Sequence, residues 1–462
     1  MPTEANGTAD QAREDRFRVL IAGGGVAAVE ALLALRELAG DRVDPLLFAP
    51  DPTFRFRPLS VTEPFELSAP HTLDLAEVAL THGGSFLEDG LVAVDSEARR
   101  VSTTAGRELG FDALLVAIGT RGAEAVPGAV TFRDSADRGA FAEVLADLDR
   151  GIIGRLGFVV PKGTSWPLGL YELALLTAAR RRERGLDDVE LCLVTPEARP
   201  LAVFGRRASA VVGRLLDRAG IELALGRRAV RFEEGRLETE SGESITCDRA
   251  VALPAPEVGE IEGLPQDAGG FIPVDRYGAV HWVDRVFAAG DATWFPIKQG
   301  GLASQQADTA AASIAAMAGA PITPEPLRPV LRGALLTEWG PRYLRTEVGE
   351  DAGTAATSVL WWPPAKVAGR YLAPYLARAA GYEPPEGPLV DLEAPYGQDA
   401  GAVEEGHEDV VKLALTSAEG KARERDFRGA LRWLEVVEDL ELYLPREYEL
   451  KRIAWTELGR SA

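Results

Sequence analysis

The sequence predicts an α/β protein with two similar strand–turn–helix blocks, a polar N-terminal segment and a helical C-terminal tail. Three observations support this class. Phe17 to Ala22 is a short apolar run followed by three glycines, and Val26 to Ala39 then carries apolar residues at helical spacing. A second strand and helix follow within residues 158–184. Val286 to Ala289 forms a late strand that ends in Gly-Asp.

Composition and charge exclude several kinds of function. The 462 residues suggest about three domains, and 50 basic against 71 acidic residues give a net charge of −21 and a pI near 4.8. Such a chain is no binder of phosphate backbones, and charge alone would not hold it on an anionic membrane. Two cysteines and four scattered histidines provide neither a disulfide framework nor a metal-ligand pattern, so no metal site is expected.

The sequence also lacks the usual signs of membrane insertion or export. No apolar run approaches the ~18 residues of a transmembrane helix. The N-terminus at residues 1–16 is polar and acidic and lacks the basic-then-apolar order of a signal peptide. We interpret these residues as a disordered tail on a cytoplasmic protein.

The first block has the order of a βαβ unit. Its helix is predicted from Val26 to Ala39 and its second strand from Pro45 to Ala49. We expect residues 17–133 and 266–330 to form this first domain. Its further predicted elements are hairpin strands at 91–95 and 100–103, buried strands at 112–118 and 286–289, and a small-residue helix at 301–318.

Residues 134–265 predict a second domain of the same type. Its predicted elements are helices at 134–150, 171–184 and 208–219, strands at 158–160 and 189–195, and short strands between 221 and 253. Proline becomes dense after residue 320, which marks the boundary to a C-terminal interface region at 331–383. We interpret residues 384–408 as a linker and 409–462 as a helical tail. Its apolar stripe at Leu431, Leu434 and Val437 would pack on the body or on a second subunit, which leaves a homo-oligomer open, and access to a quinone from a membrane is the alternative.

The glycine turn after the first strand fits the pattern GxGxxA. Gly23 permits a tight turn, Gly25 lets the backbone approach a pyrophosphate, and the small Ala28 keeps the helix close to the strand. The free N–H groups at the start of the helix would face the phosphates. The acidic residue that usually ends the second strand is missing, since that place falls on Ala49 or Pro50. The ribose contact is therefore left to backbone, to the following Asp51, or to another group.

Two more motifs give the chain a family resemblance. AIGT at 117–120 closes a strand, and VFAAGDA at 286–292 follows much later. In this order the motifs resemble those of the FAD-containing flavoproteins with two dinucleotide-binding domains, the pyridine nucleotide-disulfide oxidoreductase superfamily. The resemblance covers about residues 17–380 and implies two interleaved Rossmann-like, three-layer domains. It assigns the ribityl chain of FAD to Asp291, whose carboxylate accepts hydrogen bonds from hydroxyl groups.

The resemblance also implies the rest of the cofactor site. FRFRPLS at 54–60 looks like the segment that passes near the flavin in sulfide:quinone oxidoreductases and type II NADH dehydrogenases. Arg57 and Arg121 are candidates for phosphate contacts. The full set of expected FAD-binding residues is Gly23, Gly24, Gly25, Val26, Ala27, Ala49, Pro50, Arg57, Pro58, Val92, Ala117, Ile118, Gly119, Gly290, Asp291, Lys298, Gln299, Gly300, Gly301 and Leu302.

PKGTSWPLGLYELALL at 161–176 looks like the corresponding segment of sulfide:quinone oxidoreductase and of the flavocytochrome c sulfide dehydrogenase flavoprotein. Those quinone reductases place a cysteine in this loop, whereas this chain has Ser165-Trp166-Pro167 and no CxxC. Cys192 and Cys247 lie in strand-like stretches and are interpreted as buried thiols. We therefore expect no cysteine relay and a non-covalent FAD.

The second glycine turn departs from the dinucleotide-binding pattern. Pro161 replaces its first glycine, Gly163 is kept, and Trp166 occupies the third position, where a bulky ring obstructs a pyrophosphate. Glu197 follows the next strand and could contact a ribose, although its spacing from Gly163 is long. Binding of NAD(P) in the usual mode is disfavoured but left open.

A flavin needs positioning and electrostatic tuning rather than a protein nucleophile. By resemblance, the helix start at Gly300 to Leu302 meets the flavin pyrimidine, with Lys298 as the tuning cation or, alternatively, a solvated lysine. Glu172 could be a general base, or an ion-paired glutamate in the first helical turn. Lys298 and Glu172 are thus the candidate catalytic residues. Trp166, Trp361 and Trp362 are candidates for the substrate side, with packing as the alternative.

The sequence therefore predicts an FAD-dependent oxidoreductase without a cysteine relay, most similar to the sulfide:quinone and flavocytochrome c branch. A small-molecule reductant would deliver electrons to the flavin, and a quinone or a redox protein would accept them. One alternative is an NAD(P)H dehydrogenase that uses the altered second turn. Another is a flavoprotein without turnover that acts as an interaction module through its tail.

Overall fold

The computed structural model describes residues 16–164, 166–349, 351, 353–382, 389–392, 415–431, 434 and 446–460. The predicted α/β class is confirmed, since two five-stranded parallel sheets form the centre of the molecule. Residues 1–15, which end in Glu14 and Asp15, belong to the predicted N-terminal tail and lie outside the described residues. The first strand begins at Phe17.

Ten strands and two helices build the first part of the chain. The strands are β1 (Phe17–Ala22), β2 (Val43–Ala49), β3 (Thr53–Arg55), β4 (Thr72–Asp74), β5 (Ser85–Glu88), β6 (Leu91–Asp95), β7 (Arg100–Thr103), β8 (Glu108–Gly110), β9 (Ala113–Val116) and β10 (Arg121–Ala123). The helices are α1 (Val26–Ala39) and α2 (Leu75–Thr81), with 3-10 segments at Gly40–Arg42 and Arg57–Phe65.

The middle of the chain forms the second sheet and its helices. The strands are β11 (Val130–Thr131), β12 (Arg155–Val159), β13 (Glu190–Thr195), β14 (Ile221–Leu225), β15 (Ala229–Glu233), β16 (Arg236–Thr239), β17 (Ser244–Thr246), β18 (Arg249–Ala252) and β19 (Ala255–Glu257). The helices are α3 (Arg138–Asp149), α4 (Leu168–Glu183) and α5 (Gly205–Arg218), with 3-10 segments at Ser135–Asp137 and Ala202–Phe204.

The last part of the chain completes the first sheet and adds a C-terminal region. Its elements are β20 (Val286–Ala288), α6 (Gly300–Met317), β21 (Val330–Leu335), β22 (Arg342–Glu347), β23 (Thr354–Ala356), β24 (Trp361–Trp362), α7 (Leu372–Ala379) and β25 (Val390–Asp391). Beyond these, residues 415–423 and 427–431 are helical, and a further helix spans Arg446–Arg460. Among the described residues, no helix has both the length and the apolar character that crossing a bilayer requires.

The two sheets are interleaved along the chain. The first has the order β20-β9-β1-β2-β5, so its edge strand β20 comes from a segment far downstream of its other strands. The second has the order β11-β18-β12-β13-β14. The two chain segments that connect the sheets meet as the antiparallel pair β10–β19, in which Arg121 lies opposite Glu257. The first sheet is therefore complete only when the chain returns from the second.

Small side chains bring α1 and α6 close together over the first sheet. Ala28, Ala31, Ala307 and Ala311 are fully buried in one apolar cluster that these helices share with β1 and β9. A separate cluster on the opposite face joins the sheet to the meander β6-β7-β8 and to residues 258–283. This packing places the start of α1 next to the end of β20.

The predicted linker at 384–408 requires a correction. Within it, residues 390 and 391 form β25 and pair with Trp362 and Trp361. Asp391 anchors this strand, because its two carboxylate oxygens each accept a hydrogen bond of 2.7 Å from the guanidinium of Arg332. The other described residues of the range, 389 and 392, flank that strand, and the rest of the predicted linker lies outside the described residues, as does Val437 of the tail.

Candidate functional site

The turn after β1 requires glycine at its first position. Gly23 has φ +125°, and a Cβ on this residue would lie 2.2 Å from the carbonyl oxygen of Ala117 at the end of β9. The Gly23 N–H donates to the carbonyl oxygen of Phe48 at 2.8 Å. The turn is therefore held between β2 and β9, with no room for any side chain.

The next part of the turn is open instead of crowded. Gly25 is exposed, and a Cβ on it would meet no heavy atom within 4 Å. Gly25 is also the N-cap of α1, and no side chain caps the free N–H groups of this helix. An uncapped helix start beside an open glycine can receive an anion such as a pyrophosphate. Gly24 lies in the same turn, and Val26 and Ala27 are the first two residues of α1.

The structure brings the Gly-Asp motif after β20 against this turn. Gly290 has φ +84°, and a Cβ on it would stand 3.2 Å from the Cβ of Ala27 in α1. The Gly290 N–H donates to Oε1 of the buried Gln306 at 2.7 Å, which fixes the direction in which the chain leaves the strand. Two motifs more than two hundred residues apart therefore line one cleft.

The carboxylate of Asp291 has the environment expected of a hydrogen-bond acceptor for a ligand hydroxyl group. Burial raises the pKa of its carboxyl to about 6, an effect opposed by the positive charges of Lys298 and Arg57. No described residue is in hydrogen-bond contact with its carboxylate. A partly buried acceptor without a donor fits the ribityl hydroxyls of FAD, and Gly25 fits its pyrophosphate. The residues present therefore fit the cofactor.

The start of α6 requires one correction. Of the three N–H groups at Gly300 to Leu302 expected to face the flavin, that of Leu302 is donated to Oε1 of Gln299 at 2.7 Å. Gln299 is buried and acts as the N-cap, and its Nε2 donates to the carbonyl of Arg332 at 3.1 Å. Gln299 is thus a capping residue, and only Gly300 and Gly301 keep N–H groups that are not used by this cap.

Lys298 is held in place by backbone groups rather than solvated. Its Nζ donates to the carbonyl oxygens of Thr293 at 2.5 Å and Phe295 at 2.8 Å, and it lies 3.8 Å from the ring centre of Phe271. Burial lowers the pKa of Lys298 to about 8, while the negative charge of Asp291 opposes that change. The charges of Lys298 and of Asp291, the candidate ribityl-binding carboxylate, therefore influence each other's pKa.

Glu172 is not the free base that the sequence suggests. Its side chain is 1% exposed, and both its oxygens accept from Nζ of Lys366, at 2.7 and 2.6 Å. Oε1 also accepts from the N–H of Leu336 at 2.8 Å. Burial raises the pKa of Glu172, and the ammonium of Lys366 opposes this. The second of the two sequence alternatives, an ion-paired glutamate, is the one observed.

Sequence reasoning missed Lys366 as a functional candidate. It lies in the segment that follows β24, and the side chain of the next residue, Val367, packs against Gly300 at the start of α6. The Glu172–Lys366 pair therefore lies close to the helix start that would meet the flavin. The signal was present in the sequence, because this lysine ends the motif WWPPAK at 361–366.

The tryptophans expected on the substrate side are mostly packing residues. Trp361 is fully buried, its ring meets Tyr343 edge-on, and its indole N–H donates to the carbonyl of Ala365 at 3.0 Å, so it cannot reach a substrate. Trp166 is partly buried against Phe204, with ring centres 5.6 Å apart. Trp362 is half-buried, and its buried indole N–H has no hydrogen-bond partner among the described residues.

The remaining cofactor candidates lie at the carboxyl end of the first sheet or beside it. Ala49 and Ala117 are buried at the ends of β2 and β9, and Gly119 has φ +67° just beyond. Arg57 is exposed and forms an ion pair of 3.2 Å with Asp134, so it is committed in part to the domain junction. The exposed residues of this group are Pro50, Ile118, Val92 in β6 and Arg121 in β10, and Pro58 is half-buried.

The second turn keeps one open glycine, since Gly163 is exposed and a Cβ on it would meet no heavy atom within 4 Å, but its helix start is more crowded than that of the first turn. A Cβ on Gly169, at the start of α4, would lie 3.5 Å from the side chain of Val61 in the first domain. Glu197, the candidate for a ribose contact, accepts from Tyr171 Oη at 2.7 Å, Thr195 Oγ1 at 3.0 Å and the N–H of Ala202 at 3.0 Å. Its carboxylate is therefore used internally, and the side chain of Val61 lies against the helix start at Gly169.

Cys192 lies in β13 of the second sheet, as predicted, whereas Cys247 lies in the short connection between β17 and β18. Both are free and buried, and a Cβ on Gly157 in β12 would stand 3.2 Å from Sγ of Cys247 and 3.6 Å from Sγ of Cys192. Burial raises the pKa of Cys192 and raises that of Cys247 to about 12. Both are therefore protonated thiols at neutral pH.

Comparison with curated proteins gives relatives of moderate similarity. The chain is 29% identical over 238 residues to the ferredoxin reductase component of chlorobenzene dioxygenase from Cupriavidus sp. (strain PS12), covering 48% of this chain and 53% of that protein. It is 28% identical over 246 residues to the ferredoxin–NAD(+) reductase component of the biphenyl dioxygenase system from Paraburkholderia xenovorans (strain LB400), covering 50% and 56%. The chain thus spans about half the length of the curated relatives it matches.

Solved structures show the same fold at low identity. The sulfide:quinone oxidoreductase of Aquifex aeolicus superposes with a TM-score of 0.65 at 18% identity, covering 79% of this chain and 89% of that one. The ferredoxin reductase of the CYP199A2 system from Rhodopseudomonas palustris gives 0.54 at 20% identity, covering 71% and 81%. A sequence profile described as pyridine nucleotide-disulphide oxidoreductase matches residues 17–314. The chain belongs to this family.

Proposed function

We propose that this protein oxidises a small-molecule reductant directly at a non-covalent FAD, without a cysteine relay, and passes the electrons to a quinone or a redox protein. This is the chemistry of the sulfide:quinone branch with the thiol step removed. The observation that carries the proposal is the position of the two cysteines. Both sulfurs flank Gly157 inside the second sheet, and neither lies at the glycine turn or at the Gly290–Asp291 cleft.

The protein's own residues would hold the cofactor from two sides. Gly23 to Ala27 would receive the pyrophosphate at the start of α1, and Asp291 would accept hydrogen bonds from the ribityl hydroxyls. Gly300 and Gly301 would direct their N–H groups toward the pyrimidine edge. When bound, FAD supplies the two-electron chemistry.

The Glu172–Lys366 pair would act near that edge. A buried ammonium favours negative charge in its surroundings, and the carboxylate that holds it fixes the position of Nζ. Lys366 rather than Glu172 would therefore be the group that faces the cofactor. Lys298, which is bonded to two carbonyl oxygens, would contribute mainly through its charge near Asp291.

The absence of a thiol step has a direct test. We expect the double variant Cys192→Ser/Cys247→Ser to keep the wild-type rate of flavin reduction by sulfide and other small reductants, because neither sulfur is near the cleft. The rate is followed anaerobically by bleaching of the flavin absorbance in a stopped-flow instrument. Ser209→Ala, which removes a buried hydroxyl from the same domain, serves as the control for general effects on stability. A loss of about tenfold or more in the cysteine variant alone would contradict the proposal.

A second candidate, an NAD(P)H dehydrogenase, is supported by the comparison with the ferredoxin–NAD(+) reductase component. The internal bonds of Glu197 and the cover over Gly169 argue against it. We expect a large excess of NADH or NADPH to leave the flavin of the wild-type protein oxidised under anaerobic conditions, whereas dithionite bleaches it fully. Rapid bleaching by either nucleotide would establish the second candidate and overturn the choice of donor proposed here.

A further inference from the structure

Two exposed tryptophans lie together beside the candidate cofactor cleft. Trp282 is 86% exposed and Trp294 is 47% exposed. The imidazole of His281 meets both indoles edge-on, with ring centres 5.3 and 5.2 Å away. We refer to His281, Trp282 and Trp294 as the aromatic patch. Contiguous exposed aromatic surface of this kind is typical of a recognition site.

The backbone holds the aromatic patch in position. The indole N–H of Trp294 donates to the carbonyl of Val274 at 3.0 Å, and its backbone N–H donates to Ile272 at 2.9 Å. The N–H of His281 donates to the carbonyl of Pro273 at 3.0 Å. Trp282 has φ +62°, a conformation that bulky residues rarely adopt. The chain thus accepts backbone strain at a residue whose ring points into solvent.

The patch is continuous with the residues that would hold the flavin. Trp294 follows Asp291 by three positions, and the carbonyl of the intervening Thr293 accepts from Nζ of Lys298 at 2.5 Å. The same ammonium lies over the ring of Phe271, which precedes Ile272. One short segment therefore connects the cofactor cleft to the surface.

The chain segment that carries the patch is acidic. Residues 260–285 carry five acidic side chains, Glu260, Glu262, Asp267, Asp275 and Asp284, and all five residues are exposed. The same stretch has two arginines, of which Arg285 pairs with Asp284 at 3.6 Å and donates to the carbonyl of Asp112. An aromatic centre with a charged rim is the usual anatomy of a protein interface.

The negative charge of this surface favours some binding partners over others. The acidic rim on a chain with a net charge of −21 would repel a second copy of the same face and an anionic bilayer. It would attract a partner with lysines and arginines around an apolar face. We propose that the aromatic patch is the docking surface for a small basic redox protein that accepts electrons from the flavin.

This proposal rests on the proposed function, because it requires a flavin at the Asp291 cleft. The electron balance is simple. Oxidation of the reduced, anionic flavin releases two electrons and one proton. The electrons reduce two molecules of a one-electron carrier, and the proton goes to solvent. No bond to the protein forms or breaks in this step.

The experiment uses a lysine-rich c-type cytochrome as the basic one-electron acceptor. The holoprotein is reduced with one equivalent of dithionite without oxygen and mixed with the oxidised cytochrome in a stopped-flow instrument. Trp282→Asn/Trp294→Ser is compared with the wild type, because asparagine tolerates the left-handed backbone. We expect the second-order rate constant to fall about tenfold in the variant, and that of the wild type to fall as NaCl is added.

Two controls isolate the surface effect. Leu80→Ser changes an exposed apolar residue on α2, away from the aromatic patch, and should leave the cytochrome rate unchanged. Ferricyanide is small and needs no docking surface, so it should oxidise both proteins at the same rate. Equal cytochrome rates in the patch variant and the wild type would overturn the proposal. So would a patch variant that differs from the wild type in molar mass or in binding to phosphatidylserine vesicles.

Failure of the proposed function would look different. The proposed function would fail if the wild-type protein stayed colourless after incubation with FAD. It would also fail if the protein bound FAD but could not be reoxidised by ferricyanide. Either result would be seen before the cytochrome experiment is carried out.

Discussion

At the scale of single residues, the cleft depends on glycine positions where no side chain fits. It also depends on the carboxylate of Asp291, which accepts no hydrogen bond from a described residue. Gly23 has the carbonyl of Ala117 where a Cβ would stand, and Gly290 faces Ala27 in the same way at a longer distance. Asp291 then presents its acceptors between these two contacts. The site is defined as much by the backbone it exposes as by the side chains it uses.

The requirement at Gly23 predicts a specific failure. Gly23→Ala should lower the free energy of unfolding by about 3 kcal/mol, because the new Cβ overlaps a backbone oxygen and φ +125° is unfavourable for alanine. The variant should also be purified with far less FAD, measured as the ratio of flavin to protein absorbance. Gly185→Ala is the matched control, since Gly185 has φ +65° with no heavy atom within 4 Å of a new Cβ. It should cost about 1 kcal/mol and keep its FAD. Equal FAD contents in the two variants would contradict this account.

Some residues of the site could be predicted from the sequence, and others could not. Gly23, Gly25 and Asp291 are set by local backbone geometry, which a motif encodes. Trp361 and Glu172 depend on partners from distant segments, namely Tyr343 and Lys366, and no spacing rule reveals these. Their burial is a property of tertiary packing, so the sequence could only leave the alternatives open.

At the scale of elements, a buried carboxyl group joins three helices. Glu30 in α1 is fully buried, and its oxygens accept from the N–H groups of Tyr371 and Leu372, at 2.8 and 2.7 Å, where α7 begins. Asp308 in α6 forms a hydrogen bond with the same carboxyl group. Burial raises the pKa of Glu30 to about 7 from an ordinary 4.5. Burial and the charge of Glu30 raise the pKa of Asp308 well above its ordinary value as well, so the two carboxyl groups together retain protons that stabilise the contact between α1, α6 and α7.

This arrangement predicts a pH dependence of stability with a definite sign. The folded protein binds a proton at Glu30 more tightly than the unfolded chain does, so the free energy of unfolding falls as pH rises from about 4.5 to about 7. The loss should be about 3 kcal/mol in all. Glu30→Gln should flatten this part of the profile in urea titrations between these pH values. Glu77→Gln, an exposed change on α2, should leave the slope as in the wild type. An unchanged slope in Glu30→Gln would show that another group binds the proton.

Helix and strand positions were predicted well where local pattern decides them. β1 and α1 have the predicted bounds, whereas α4 begins three residues before the predicted Tyr171 and β9 is shorter than the predicted strand at 112–118. The start of α4 follows Pro167, which is the N-cap, and proline is compatible with a helix start. The strand β25 was missed because two residues carry no periodic pattern, and distant partners hold them, namely the pairing with β24 and the ion pairs of Asp391 with Arg332 and Arg345.

At the scale of the whole molecule, net charge is the dominant property. A charge of −21 opposes the compact state, because like charges lie closer together in the folded protein than in the unfolded chain. Surface ion pairs such as Arg231–Glu238 at 2.8 Å offset this only locally.

Screening should therefore stabilise the protein. Raising NaCl from a few millimolar to about 0.15 M shortens the Debye length to about 8 Å. We expect the melting temperature to rise by about 2 °C, measured by calorimetry at pH 7.5, since repulsion among the excess acidic groups weakens. Potassium chloride at the same ionic strength should give the same rise, because the effect depends on charge alone. A fall in melting temperature would mean that the ion pairs outweigh the net repulsion.

The return of the chain to the first sheet has a consequence for biosynthesis. β20 pairs with β9 in the register Val286 with Leu114, so β9 has an open edge until the ribosome has released residue 288. During that interval the strands of the second sheet are synthesised. The half of the cleft that carries Asp291 is synthesised last. A nascent chain that ends before Asp291 could therefore not form a complete binding site for the flavin. Binding of a flavin at this cleft would therefore require that β20 has already paired with β9.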